Sequence, residues 1–303
     1  RKRFLAIFTL GLLSAIGPFS IDMYLPGFPA IAESLHTSVA HVGLSLSSFF
    51  IGISVGQLIY GPLLDRFGRK IPLFIGLGLY FVTSLFCAFV SEADTLIVAR
   101  FFQALGSCAG MVAARALVRD LFPVNENAKV FSLLMLVIAI SPILAPTVGG
   151  YVTSHFGWHA IFIILGAVSL LTSLAVYVWL PDGRKANPEM SLKPVAIMNE
   201  FISVAKIPKF YTYALAGALA SSGLYSYIAG SPVVFMKIYQ VSEKQYGWIF
   251  AIISMGLLFA SQLNTLILRR SSSERITFIA LASQVSIGLV LVTATFFDWL
   301  NLY

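Results

Sequence analysis

Residues 42–90 read VGLSLSSFFIGISVGQLIY GPLLDRFGRK IPLFIGLGLYFVTSLFCAFV, two apolar runs flanking a decapeptide, Gly61–Lys70, that holds every charge in the stretch. Crossing the roughly 30 Å of bilayer hydrocarbon takes about 20 mostly apolar residues, and the runs 42–61 and 71–90 each meet that length. Lipid offers no partner to a backbone N–H or C=O, so such runs close their hydrogen bonds internally, as helices. The decapeptide is then the connection between two spans at one membrane surface. Its glycines, Gly61 and Gly68, permit a tight turn, and Asp65 can accept from helix N–H groups or pair with Arg69.

Read outward from there, the sequence shows nine candidate spans, at 4–25, 42–61, 71–90, 95–117, 129–152, 158–180, 209–231, 246–268 and 276–297. With 58% hydrophobic and 11% charged residues and a mean hydropathy of +0.88, the 303-residue chain is too apolar for a water-soluble core and needs lipid as part of its solvent. The first run follows Arg1-Lys2-Arg3 but has no small-residue cleavage pattern, so it reads as a span rather than a signal peptide. With the amino terminus in the cytoplasm, 16 of the 20 Lys and Arg fall in cytoplasmic segments; only Lys237 and Lys244 lie opposite, and Arg100 and Arg115 lie within helices. The formal charge of +7 therefore marks orientation, not a nucleic-acid partner.

One connection is long, polar and proline-rich. It divides the chain into an amino-terminal six-helix bundle (1–180), a cytoplasmic linker (181–208) and a partial carboxy-terminal bundle of three helices (209–303). Two such blocks around a central site are the plan of many secondary transporters, on which three further helices would follow Tyr303. The absence of an initiating Met likewise suggests a chain that begins inside a longer reading frame.

No His, Ser or carboxylate cluster has catalytic spacing, so the chain does not read as an enzyme. Cys87 and Cys108 lie inside apolar runs and read as packing residues. His36, His41, His155 and His159 have no carboxylate at ligand spacing, so neither a metal nor a cofactor is expected.

The decapeptide resembles the signature loop of the major facilitator superfamily, G-x-L-x-D-R-x-G-R-K, with every fixed position matched. The resemblance implies an all-α membrane protein. It also implies a cytoplasmic gate in which Gly61, Asp65, Arg66, Gly68 and Arg69 act with Asp120, Asp65 meeting a helix of the second half. Arg100 to Gly106 is similar to the superfamily's R-x-x-Q-G pattern, with Ala104 in place of the glycine. Pro142, Pro146, Gly149 and Gly150 fit the G-P-x-x-G-G ending associated with antiporters, with Ala145 replacing its first glycine and Ser132 and Ser141 standing at earlier glycine positions. Asp22-Met23-Tyr24-Leu25-Pro26-Gly27-Phe28-Pro29 and the 114–122 segment are similar to the bicyclomycin-resistance branch of drug/proton antiporters.

Asp22 is the one acidic residue within an apolar span. Burial and a neighbouring cation act on a carboxylate in opposite directions, so an Asp between a cavity and Arg100 can exchange a proton or meet a cationic drug. The alternative is a helix-end residue just before Pro26 and Pro29. Arg100 is costly to place against lipid; it faces the bundle interior with Gln103, or it snorkels or braces backbone carbonyls. Met23, Tyr24, Arg115 and Tyr225 are candidate cavity-lining residues. The resulting expectation is a monomeric, proton-driven exporter of small hydrophobic or cationic drugs in the bacterial inner membrane, with lipid, protons and drugs as its partners. A facilitator-type uptake permease for a sugar or organic anion is the alternative.

Overall fold

The computed structural model describes residues 2–267 and 271–297. Arg1, Arg269 and Arg270, counted above among the basic residues, lie outside that set, as do the last residue of the 246–268 span and residues 298–303. Seven helices precede the linker: α1 (Lys2–Asp22), the short α2 (Phe28–Ser34), α3 (Val39–Phe67), α4 (Lys70–Ala88), α5 (Ala93–Leu121), α6 (Val124–Phe156) and α7 (His159–Trp179). The 181–208 segment, expected to be a linker, contains a helix, α8 (Pro194–Ala205), which its prolines and charges do not suggest. Beyond it come α9 (Pro208–Pro232), a π-helical turn over Val233–Ile238, α10 (Glu243–Ile267) and α11 (Ser273–Phe296).

Eight helical segments among the described residues are long and apolar enough to cross a membrane. The exception among the nine expected spans is α9. It is helical throughout, but four Tyr, four Ser and three Gly dilute its apolar character. Of these groups Ser231 is buried, whereas Tyr211, Tyr213 and Tyr225 are about half exposed.

Local sequence explains the breaks. Asp22 ends α1, and Pro26 and Pro29 sit in the first turns of the 3₁₀ segment Leu25–Gly27 and of α2, where a missing N–H costs nothing. Ser38 caps α3 by accepting from the His41 N–H at 3.1 Å. The α3 helix runs through Pro62 to Phe67, so the connection to α4 is far shorter than the decapeptide. It is made at Gly68, whose φ of +80° is a conformation that side chains with a Cβ rarely adopt. Gly61 lies inside α3 with nothing within 4 Å of a Cβ placed there, so it has no role in the turn.

Small residues set the helix separations. A Cβ on Gly52 would sit 2.5 Å from the Phe101 carbonyl oxygen, one on Gly56 2.7 Å from the Cys108 Cβ, and one on Gly106 2.5 Å from the Tyr80 nitrogen. The G-x-x-x-G spacings of α3 and α5 thus serve contacts within one bundle. Between α1–α7 and the later helices, glycine approaches occur where α6 meets α10: a Cβ on Gly150 would lie 2.6 Å from the Glu243 carbonyl, and one on Gly247 2.7 Å from that of Pro146. These contacts lie at the end remote from the basic loops. Gly52→Leu is expected to lower stability by at least about 1–3 kcal/mol through overpacking against backbone. Gly78→Ala, with nothing within 4 Å, is expected to leave the thermal unfolding midpoint in detergent unchanged.

Candidate functional site

A fully buried guanidinium organises the interior formed by α1–α7. Arg100, on α5, is 0% exposed. Its Nη1 donates to Gln103 Oε1 at 2.5 Å and its Nη2 to the Ser20 carbonyl at 2.9 Å. The Phe49, Tyr24 and Phe162 rings surround it at 4.1, 4.6 and 5.8 Å. Gln103 passes the network on to Ser84 at 2.7 Å, while Ser20 and Tyr80 hydroxyls meet at 2.6 Å. Cation–π contacts and charge-assisted hydrogen bonds offset the cost of the buried charge. Its Nε alone has no partner. Arg100 and Gln103 therefore brace α1, α4 and α5, both fully buried. Tyr24, expected to line one, is sealed in this cage with its hydroxyl 2.8 Å from Ser45.

Asp22 makes no ion pair with Arg100. It ends α1, is 4% exposed, and has neither a hydrogen-bond donor nor a cation partner among the described residues. Its oxygens are not among the completely enclosed unpartnered atoms, so the carboxylate keeps a sliver of accessible surface. The chain beside it is tightly held: the Met23 carbonyl lies against Gly149 of α6, too close to admit a Cβ there. Across the junction, Tyr246 of α10 is within electrostatic reach of Asp22, is fully buried, and bonds Ser231 at 2.7 Å. Pro142 and Pro146 lie inside an unbroken α6, and Pro146, Gly149 and Gly150 form the α6 side of this junction. Met23 also edges an apolar groove of about 630 Å³ between α1, α6 and α7.

The charged cluster expected to form a gate lies at the opposite end. Arg69 is 7% exposed at its side chain; its Nη1 donates to Asp65 at 2.6 Å and its Nε to Asp120 at 2.6 Å. Partial burial works against its charge, but the hydrogen bonds it donates to both carboxylates outweigh that and raise its pKa. Arg115 belongs here: with Asp65, Arg69, Arg119 and Asp120 it lines a polar cavity of about 310 Å³. Tyr225 is 47% exposed and packs edge-on against Phe50 with centroids 4.8 Å apart, bridging α9 and α3.

Pairs far apart in sequence escaped the reading of the residues. His41 meets Asp94 at 2.9 Å, although no spacing links them. The Ser231–Tyr246 pair and the enclosed, unpartnered Tyr227 hydroxyl carried no signal beyond being polar groups within spans.

The sequence profile of the Major Facilitator Superfamily matches residues 10–303. The chain is 34% identical over 298 residues to a bicyclomycin resistance protein homolog of Haemophilus influenzae, covering 98% of this chain and 75% of that protein. It is 32% identical over 254 residues to the multidrug resistance protein MdtL of Escherichia coli, covering 80% of this chain but only 62% of that one. A crystal structure of a D-xylose–proton symporter superposes with a TM-score of 0.70 at 17% identity, over 89% of this chain and 70% of the symporter. Loss of the two charge-assisted bonds in Arg100→Met is expected to cost about 3 kcal/mol. Arg100→Lys is expected to recover little of it, because an ammonium cannot reproduce the planar fork between two acceptors and three rings. Thermal unfolding of the two variants in detergent checks both expectations.

Proposed function

This chain belongs to the major facilitator superfamily, and on that premise we propose that it exports small hydrophobic or cationic drugs from a bacterial cell in exchange for protons. The observation that carries the reading is Asp22, a buried carboxylate without a counter-ion at the junction of α1, α6 and α10. An interface of this kind accepts a neutral acid more readily than an anion, so the protonation state of Asp22 is coupled to whether the junction stays closed. A drug arriving from one side and a proton from the other can displace each other at one carboxylate. In a carrier that opens this site to one side at a time and switches only when it is occupied, that competition couples the two fluxes in opposite directions. The names of the relatives, bicyclomycin resistance and multidrug resistance, favour drugs as the cargo.

In this reading the chain lies in the inner membrane with its amino terminus in the cytoplasm. Residues 1–180 and 209–303 belong to two halves joined by 181–208, and the protein works as a monomer. Asp65, Arg66, Gly68, Arg69 and Asp120 form the cytoplasmic gate. Arg100 and Gln103 act on Asp22 indirectly, through the Ser20 carbonyl that Arg100 holds at 2.9 Å.

Drug accumulation in a sensitive bacterial strain tests the proposal, comparing the full-length protein with Asp22→Asn, with and without a protonophore. Expression of the native protein is expected to lower accumulation, and both the substitution and the protonophore are expected to abolish that drop. Unchanged accumulation across a varied drug panel, with the protein present in the membrane, would reject export and favour metabolite uptake.

A further inference from the structure

The connection after α7 is bound to the gate along nine residues, 182–190. The Lys70 ammonium pairs with Asp182 at 2.8 Å, and the Arg184 N–H donates to Asp120 Oδ2 at 2.9 Å. The Asn187 N–H donates to the Asp65 carbonyl at 3.1 Å, and Arg66 Nη1 to the Met190 carbonyl at 2.8 Å. Gly183 passes so close that a Cβ would stand 2.7 Å from Arg69 Cγ, 2.7 Å from Leu117 Cδ2 and 2.9 Å from Asp120 Oδ2. The segment thus reaches each charged member of the gate, either directly or through its backbone.

We propose that residues 182–190 are a strap that holds the gate residues within the first half while the cytoplasmic side is open, and that must lift for the gate to close. The proposal rests on reading this cluster as the gate. Its physical basis is competition for a limited set of hydrogen-bond acceptors and donors. Asp120 Oδ2 already serves Arg69 Nε and the Arg184 N–H, and Nη1 of Arg66 is committed to the Met190 carbonyl. With the strap seated, the shared Asp120 oxygen and this Arg66 donor are engaged inside the first half and are not offered to the second. The strap also shortens the tether between the halves. Only 191–207 remains between its last anchor and α9, and twelve of those residues are α8, about 18 Å of rigid rod. Movement of α9 is therefore transmitted to the strap instead of being absorbed by slack chain.

Two variants lift the strap without altering a gate residue. Gly183→Leu removes the space over Arg69 and Leu117. Asp182→Lys places like charge against Lys70 at an exposed position where misfolding is not a concern. Both are studied in purified, drug-free protein in nanodiscs by hydrogen–deuterium exchange of 182–190. A second readout is maleimide labelling of Gln57→Cys, which lines the open polar cavity; the native Cys87 and Cys108 are buried and give little background. The native strap is expected to exchange more slowly than residues 191–193. Each variant is expected to speed its exchange and to reduce labelling at position 57 several-fold as the gate closes, and Asp182→Lys with Lys70→Asp is expected to restore both. A native strap that exchanges as fast as 191–193 overturns the proposal, and so does Asp182→Lys leaving both readouts unchanged. Neither readout depends on transport, so a failure of drug export would leave the result standing.

Discussion

The guanidinium of Arg100 never loses its charge under ordinary conditions, and here it is sealed inside a bundle whose surroundings are lipid. Everything around it is arranged to meet that demand. Gln103 comes from the next turn of the same helix, the Ser20 carbonyl from α1, and the aromatic faces from α3, from α7 and from Tyr24 just beyond α1. These contacts fix how α1 sits on α5, and with it the last turn of α1. Asp22 is placed as a consequence: two residues before it a carbonyl is held by Arg100, and one residue after it another lies against Gly149. The carboxylate is positioned by its backbone, not by a salt bridge, which leaves it free to change protonation without dismantling the cage.

The two ends of the molecule are built on different physics. At the α1–α6–α10 junction, contact is made by backbone passing over glycine, with little polar compensation apart from the Ser231–Tyr246 pair. Dispersion forces hold such an interface, and a buried charge destabilises it. At the basic end, contact is made by ion pairs and backbone hydrogen bonds that water can replace at modest cost. Under the proposed exchange, this asymmetry supplies one seal sensitive to a proton and one set of polar contacts that can exchange partners.

Much of the architecture is legible in the sequence because the membrane imposes a coarse rule that apolar runs obey. The pairing of Asp65 with Arg69 is also readable, since residues four apart share a face of a turn. What is not readable has a common cause. The cage around Arg100 draws on residues between position 20 and position 162, and the docking of 182–190 on 65–70 joins segments more than a hundred residues apart. No local periodicity encodes such meetings. Gly61 shows the converse: it stands in the motif where a turn is expected, yet α3 continues through it and through Pro62 to Phe67, and the turn is made at Gly68 instead. Tyr24 is likewise not legible from its place beside Asp22, because the chain turns after α1 and carries the phenol into the cage.

The central claim, that one carboxylate is shared between proton and drug, is tested most directly by following protons instead of drug. Purified protein in weakly buffered detergent solution near neutral pH is mixed with a transported drug while a pH indicator is monitored. The account predicts proton release on drug binding by the native protein and none by Asp22→Asn. Saturable drug binding by the native protein without proton release, or equal release from Asp22→Asn, would contradict it.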